Sequence, residues 1–286
     1  MPERDRVRPL AGAALCMFLY YITLILVTPA INFPGGELFA ITVTTLAAGC
    51  FWSTLGMAIF ESRTLADLGL HWRGGAGRNL LTGAVLGGGG ALLAILPPVL
   101  AGLAHFERIP GADASVQGAV LAPLLLLFGA AGEEIAFRGF ALQVLMRGYS
   151  DWAGIVGMGA LFGLMHAQNP GATTIGVLNT AGFGVLFGGA LLRTHDLWLP
   201  IGIHFGWNAA LPFLGVGLSG LTIKVTGYEL VWKAGNLWSG GDYGPEASLL
   251  ASAVLVILFL AVWKIPVSKG RAYLLDSEAG EPRRVL

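Results

Sequence analysis

Long apolar runs separated by short polar turns set the pattern of this chain. They cover roughly residues 10–28, 38–60, 80–103, 120–146, 152–166, 173–192, 198–218 and 247–263. Each approaches the ~17–25 apolar residues that carry a helix across a bilayer, the fifth being short. The pattern predicts an all-α, polytopic membrane protein with about eight transmembrane helices in one bundle. The first run follows a basic start, MPERDRVRP. It is longer than the ~7–15-residue apolar core of a signal peptide, and no small-residue cleavage site follows, so a retained first helix is expected.

The loops give a second, independent pattern. Arg4, Arg6 and Arg8 precede the first run, and Arg63, Arg73 and Arg78 follow the second. Arg147 follows the fourth, Arg193 the sixth, and Lys264, Lys269 and Arg271 the eighth. The alternate loops hold Arg108, Lys224 and Lys233. By the positive-inside rule the richer side is cytoplasmic, with both termini on it, and an even helix number agrees. Trp152, Trp198 and Trp263 fall at the same predicted interface, where amphipathic rings are favoured. With neither repeat nor linker, residues 1–286 form one predicted integral-membrane domain, with short cytoplasmic tails at 1–9 and 265–286.

Composition sharpens this picture. Of 286 residues, 55% are hydrophobic and 12% charged, about half the ~25% charged share of a soluble domain; mean hydropathy is +0.71. The net charge of zero provides no basic field for nucleic acid, so the bilayer is the expected partner. The 43 glycines point to closely packed helices, with small residues four apart at Gly83 and Gly87, Gly159 and Gly163, Gly184 and Gly188, and Gly202 and Gly206. The Gly- and Ala-rich style points to a bacterial inner membrane. Cys16 and Cys50 lie in apolar runs and form neither a disulfide framework nor a metal cluster. Residues 219–246, the longest non-apolar stretch, are expected to lie at the outer face.

Against this apolar background one stretch carries charge: Gly132-Glu133-Glu134-Ile135-Ala136-Phe137-Arg138. A single charge at a helix centre costs about 2.5–3.5 kcal/mol on insertion scales, so intramembrane charges mark function. Glu134 and Arg138 are four apart with the acid first, the favoured order for a helical pair. Glu133 is turned about 100° away and needs another partner. Two other runs offer candidates. Phe162 and His166 share one helix face, as do His204 and Asn208. His71, His105 and His195 fall in predicted loops and are read as solvated bystanders. Taken alone, the charged stretch would also suit a packing cluster, the lesser alternative, and a lone histidine could donate to a backbone carbonyl.

In order, EExxxR, FxxxH and HxxxN resemble the motifs of the CAAX-protease and bacteriocin-processing family of intramembrane glutamic endopeptidases. The motif-bearing core is about residues 118–217. The resemblance implies peptide hydrolysis without a cofactor or metal. In it Glu133 and His166 hold and activate a water, Glu134 with Arg138 supports the site, and His204 with Asn208 binds the oxyanion. The implied substrate is a membrane-associated protein or peptide, prenylated or carrying a terminal sorting or leader signal. Two other readings stay open: a zinc protease using Glu133, His166 and His204, and a non-catalytic immunity or ion-binding protein.

Depth arithmetic poses a difficulty. At 1.5 Å per residue, His166 lies about 21 Å from an inner interface at Trp152, and His204 about 9 Å from one at Trp198. They meet only if the fifth helix is tilted or set lower, or the seventh begins deeper.

Overall fold

A computed structural model of the chain describes residues 7–31, 36–112 and 116–276. Arg4 and Arg6, and the tail beyond 276, lie outside the described residues. The apolar runs become α1 (Val7–Val27), α2 (Glu37–Gly56), α3 (Ala76–Leu100), α4 (Val116–Ala136) continuing into α5 (Leu142–Gly148), α6 (Asp151–Met165), α7 (Thr174–Thr194) and α8 (Trp198–Phe213). A four-residue α9 (Asn236–Ser239) precedes α10 (Leu249–Lys264), and α11 (Tyr273–Asp276) follows it. Three starts are fixed by side chains that satisfy otherwise orphaned N–H groups. Ser150 accepts from Ala153, Thr173 from Gly176 and Ser248 from Ala251.

The chain is an all-α polytopic membrane protein. Five helical spans are long and apolar enough to cross a bilayer: Val7–Val27, Glu37–Glu61, Ala76–Leu100, Gly118–Gly148 and Thr174–Thr194. The other three predicted crossings are helices of 15, 16 and 16 residues (α6, α8 and α10), each below the length of an upright crossing. One feature is absent from the apolar pattern. Ala104–Arg108 and Tyr228–Trp232 pair as a two-stranded antiparallel ribbon, β1 and β2, with Phe106 opposite Leu230. This ribbon ties the end of α3 to the segment after α8.

The basic loops gather at the opposite end. There Arg147 pairs with Glu61, Arg8 donates to the Phe60 carbonyl, Arg78 to that of Pro266 and Arg193 to that of Ile265. Trp152 lies 6.4 Å from Trp263 between ring centroids, so α6 begins where α10 ends.

Glycines set how closely the helices approach. A Cβ on Gly87 would stand 2.0 Å from the Ile203 carbonyl oxygen, and one on Gly206 2.2 Å from that of Ala84. On the next pair, a Cβ on Gly163 would stand 2.6 Å from the Val177 carbonyl oxygen. The α3–α8 and α6–α7 contacts are therefore backbone against backbone, as small-residue pairs permit.

The depth difficulty is resolved at the turn between α7 and α8. Asp196, Leu197 and Leu199 are buried there, whereas Asp151 and Trp152 at the start of α6 are exposed. The covering segments are 65–71 and 268–270: Leu197 donates to the Gly69 carbonyl at 3.0 Å, and Asn79 bridges Asp196 to Ser268. Asp196 also accepts from the Trp198 and Leu199 N–H groups, closing the first turn of α8. Its carboxyl is raised above the usual carboxylate range by burial, against these hydrogen bonds. Because α8 begins beneath this cover, His204 reaches the carboxylates of α4.

Candidate active site

The site begins with a break in helical register. After Ala136 the chain passes through a wider π-turn, Phe137–Ala141, with Gly139 at ψ −123°. Such bulges free backbone groups and recur at functional sites. Here Gln143 Nε2 donates to the Arg138 carbonyl at 3.1 Å and to that of Leu68 at 2.9 Å, so the disturbed backbone is tied to the 65–68 turn.

Immediately before the bulge, the two glutamates diverge as the helical period requires. Glu134 is fully buried, and its Oε1 accepts from Arg138 Nη1 at 3.2 Å and from His204 Nδ1 at 2.9 Å. Arg138 also donates to the Gly184 carbonyl at 3.2 Å. Its guanidinium lies 4.4 Å from the Phe162 ring centroid and 5.1 Å from that of Phe187, partners that suit a buried cation. His204 stacks on Phe187 at 4.8 Å and 15°, which fixes its ring plane.

Glu133 faces the other way, into a cavity of about 380 Å³, with its side chain 26% exposed. Its Oε2 has no hydrogen-bond partner and stands 3.8 Å from His204 Nε2. His166 and Asn208 line the same cavity. Since a carbonyl only accepts, the 2.8 Å contact of His166 Nδ1 with the Phe162 carbonyl puts the proton on Nδ1 and leaves Nε2 for other partners. All six motif residues thus meet around one centre. The residue beside Glu133 is His204, while His166 contributes to the cavity wall. Among the described residues, no group of three His, Cys, Asp or Glu is arranged to hold a metal ion.

The apolar pattern overlooks one carboxylate. Glu246, expected at the outer face, is buried and lines the cavity. It accepts from the Ser219 N–H and, at 3.0 and 3.1 Å, from the Ser219 hydroxyl. Burial pushes its carboxyl up to about 7, against the Ser219 hydrogen bonds. This clamp holds a turn with Ser219 at φ 48° and Gly220 at φ 85°; Asn169 donates to the Ser219 carbonyl at 3.0 Å. Only the return of the chain after β2 brings Glu246 here, and no helical spacing signals it. Phe183 and Phe187, four apart on α7, did carry a readable signal as one face. Of the loop histidines, His195 departs from the solvated reading: its Nδ1 lies 2.6 Å from Asp276, and its side chain is 15% exposed.

No curated protein matches the chain. Residues 115–210, roughly a third of its length, match the family described as type II CAAX prenyl endopeptidase Rce1-like. That interval contains Glu133, Glu134, Arg138, His166, His204 and Asn208. Through this motif-bearing core the chain is similar to the CAAX-protease family.

Proposed function

We propose that the chain is a single-domain intramembrane endopeptidase in which Glu133 activates water against a peptide carbonyl. The observation that carries this reading is Glu133, whose side chain lines a cavity among mostly apolar helices and whose Oε2 has no hydrogen-bond partner. Glu133 takes a proton from water, and the resulting hydroxide adds to the carbonyl carbon. Asn208, with His204 in its protonated form, presents N–H groups to the developing oxyanion. The proton held by Glu133 then passes to the departing amine as the C–N bond breaks, regenerating the carboxylate. His166 orients the water through its available Nε2. Glu134 and Arg138 act one step back, holding the His204 ring through Nδ1.

The substrate is a peptide or protein at the membrane, and the family description makes a prenylated C-terminal peptide the first to try. The test is cleavage by purified protein in detergent of a quenched fluorescent peptide, farnesylated or unmodified. Activity that survives a strong chelator supports the glutamate reading. Activity lost on chelation and restored by zinc would transfer His166 and His204 to metal ligation.

A further inference from the structure

A second cleft, of about 580 Å³, opens at the basic end of the molecule, lined by residues from 63–75 and 269–276. Four cations from separate stretches of chain face it: Arg63, Arg73, Lys269 and Arg271. Its two carboxylates are already engaged. Asp67 accepts from the Thr64 N–H at 3.0 Å and hydroxyl at 2.8 Å, and lies 3.6 Å from His71. Asp276 accepts from the Ala272 N–H at 2.9 Å and contacts His195 Nδ1 at 2.6 Å.

The cations are not consumed in this way. Arg63 lies over the Tyr273 ring, 4.0 Å from its centroid. Arg73, Lys269 and Arg271 are exposed, and their side chains make no ion pair among the described residues. Gly74 and Gly75 form part of the wall and lead directly into the first turn of α3. That turn has no side-chain cap, so the positive end of a 25-residue helix lies beside the cleft. Beside it Trp72 is 62% exposed and packs edge-on against Trp198.

We propose that this cleft binds a phosphate-bearing anion, either the headgroup of an anionic phospholipid or a soluble phosphate. Guanidinium groups recognise phosphate in a bidentate manner, and the positive end of α3 favours an anion. Engaged acids beside unpaired cations leave a local positive excess in a chain whose net charge is zero.

The test uses full-length protein, stripped of lipid in neutral detergent, and follows thermal unfolding at constant ionic strength. Phosphatidylglycerol, phosphatidylcholine and inorganic phosphate are titrated separately into the wild type and the double variant Arg73→Gln/Arg271→Gln. Both substitutions fall on exposed side chains without ion pairs among the described residues, so the variant is expected to melt at the wild-type temperature before anything is added. A saturable stabilisation by phosphatidylglycerol alone, weakened on the order of tenfold or more in the variant, supports a lipid headgroup site. An equal response to inorganic phosphate, again weakened in the variant, supports a site for soluble anions. Stabilisation by phosphatidylcholine to the same degree, the same response in both proteins, or no response at all would overturn the proposal. A variant that melts lower before any addition would be replaced by Lys269→Gln, to which the same outcomes apply.

Discussion

Arg138 shows how one side chain serves several partners. Its guanidinium joins Glu134 to the Gly184 carbonyl and fills the space between Phe162 and Phe187. Removing it leaves Glu134 charged, buried and short of a partner, and breaking such a pair costs roughly 3–5 kcal/mol. Arg138→Ala is therefore expected to lower the melting temperature in detergent and the yield of folded protein, with activity falling alongside. A variant that melts like the wild type would mean that the pair contributes little. The Glu134–Arg138 pair was legible in the sequence because four-residue spacing on a helix places the groups side by side. The bond from His204 to Glu134 was not, since 70 residues separate them and only the bundle closes that gap. Glu246 was less legible still, lying in a polar stretch whose path no periodicity dictates.

Between helices, the decisive contact is α3 against α8. Gly83, Gly87, Gly202 and Gly206 meet backbone on the opposing helix, so no rotamer change can make room for a side chain. Gly206→Val is expected to push α8 away from α3. Because His204 lies half a turn earlier on the same helix, the melting temperature and cleavage should fall together. A variant with full stability would show that the helices do not meet this closely. The glycine spacing announced such contacts without saying which helices would pair. The deeper start of α8 was one of the alternatives that the apolar pattern left open. Trp198 does not mark the end of the bundle, because segments 65–71 and 268–270 cover the turn before it. The π-turn at Phe137–Ala141 left no mark on the apolar pattern, because its residues suit an ordinary helix equally well.

Over the whole molecule, the paired arginines and tryptophans at one end and the β1–β2 ribbon at the other give the bundle two distinct faces. We propose that the basic face is cytoplasmic and that the membrane is the inner membrane of a bacterium. Reporter fusions after Arg73 and after Lys224 should then report opposite sides, the first cytoplasmic. The same side for both would contradict this arrangement, because α3 separates the two positions. The fold class could be read from the chain, since apolar length is a strong local signal. How the shorter helices α6, α8 and α10 sit in the bundle depends on packing, which local signals do not encode.

The central claim is that Glu133 serves as a base rather than as part of a scaffold. Glu133→Gln keeps the shape of the side chain and removes its capacity to take a proton. Its Oε2 has no protein hydrogen bond to lose, so folding should be unaffected. The most direct measurement is cleavage of one membrane-peptide reporter by this variant and the wild type, with melting temperatures recorded in the same detergent. The account predicts an unchanged melting temperature and a loss of turnover of about 10²–10⁴-fold. Wild-type cleavage by Glu133→Gln, or a loss of cleavage that merely follows a fall in melting temperature, would contradict it.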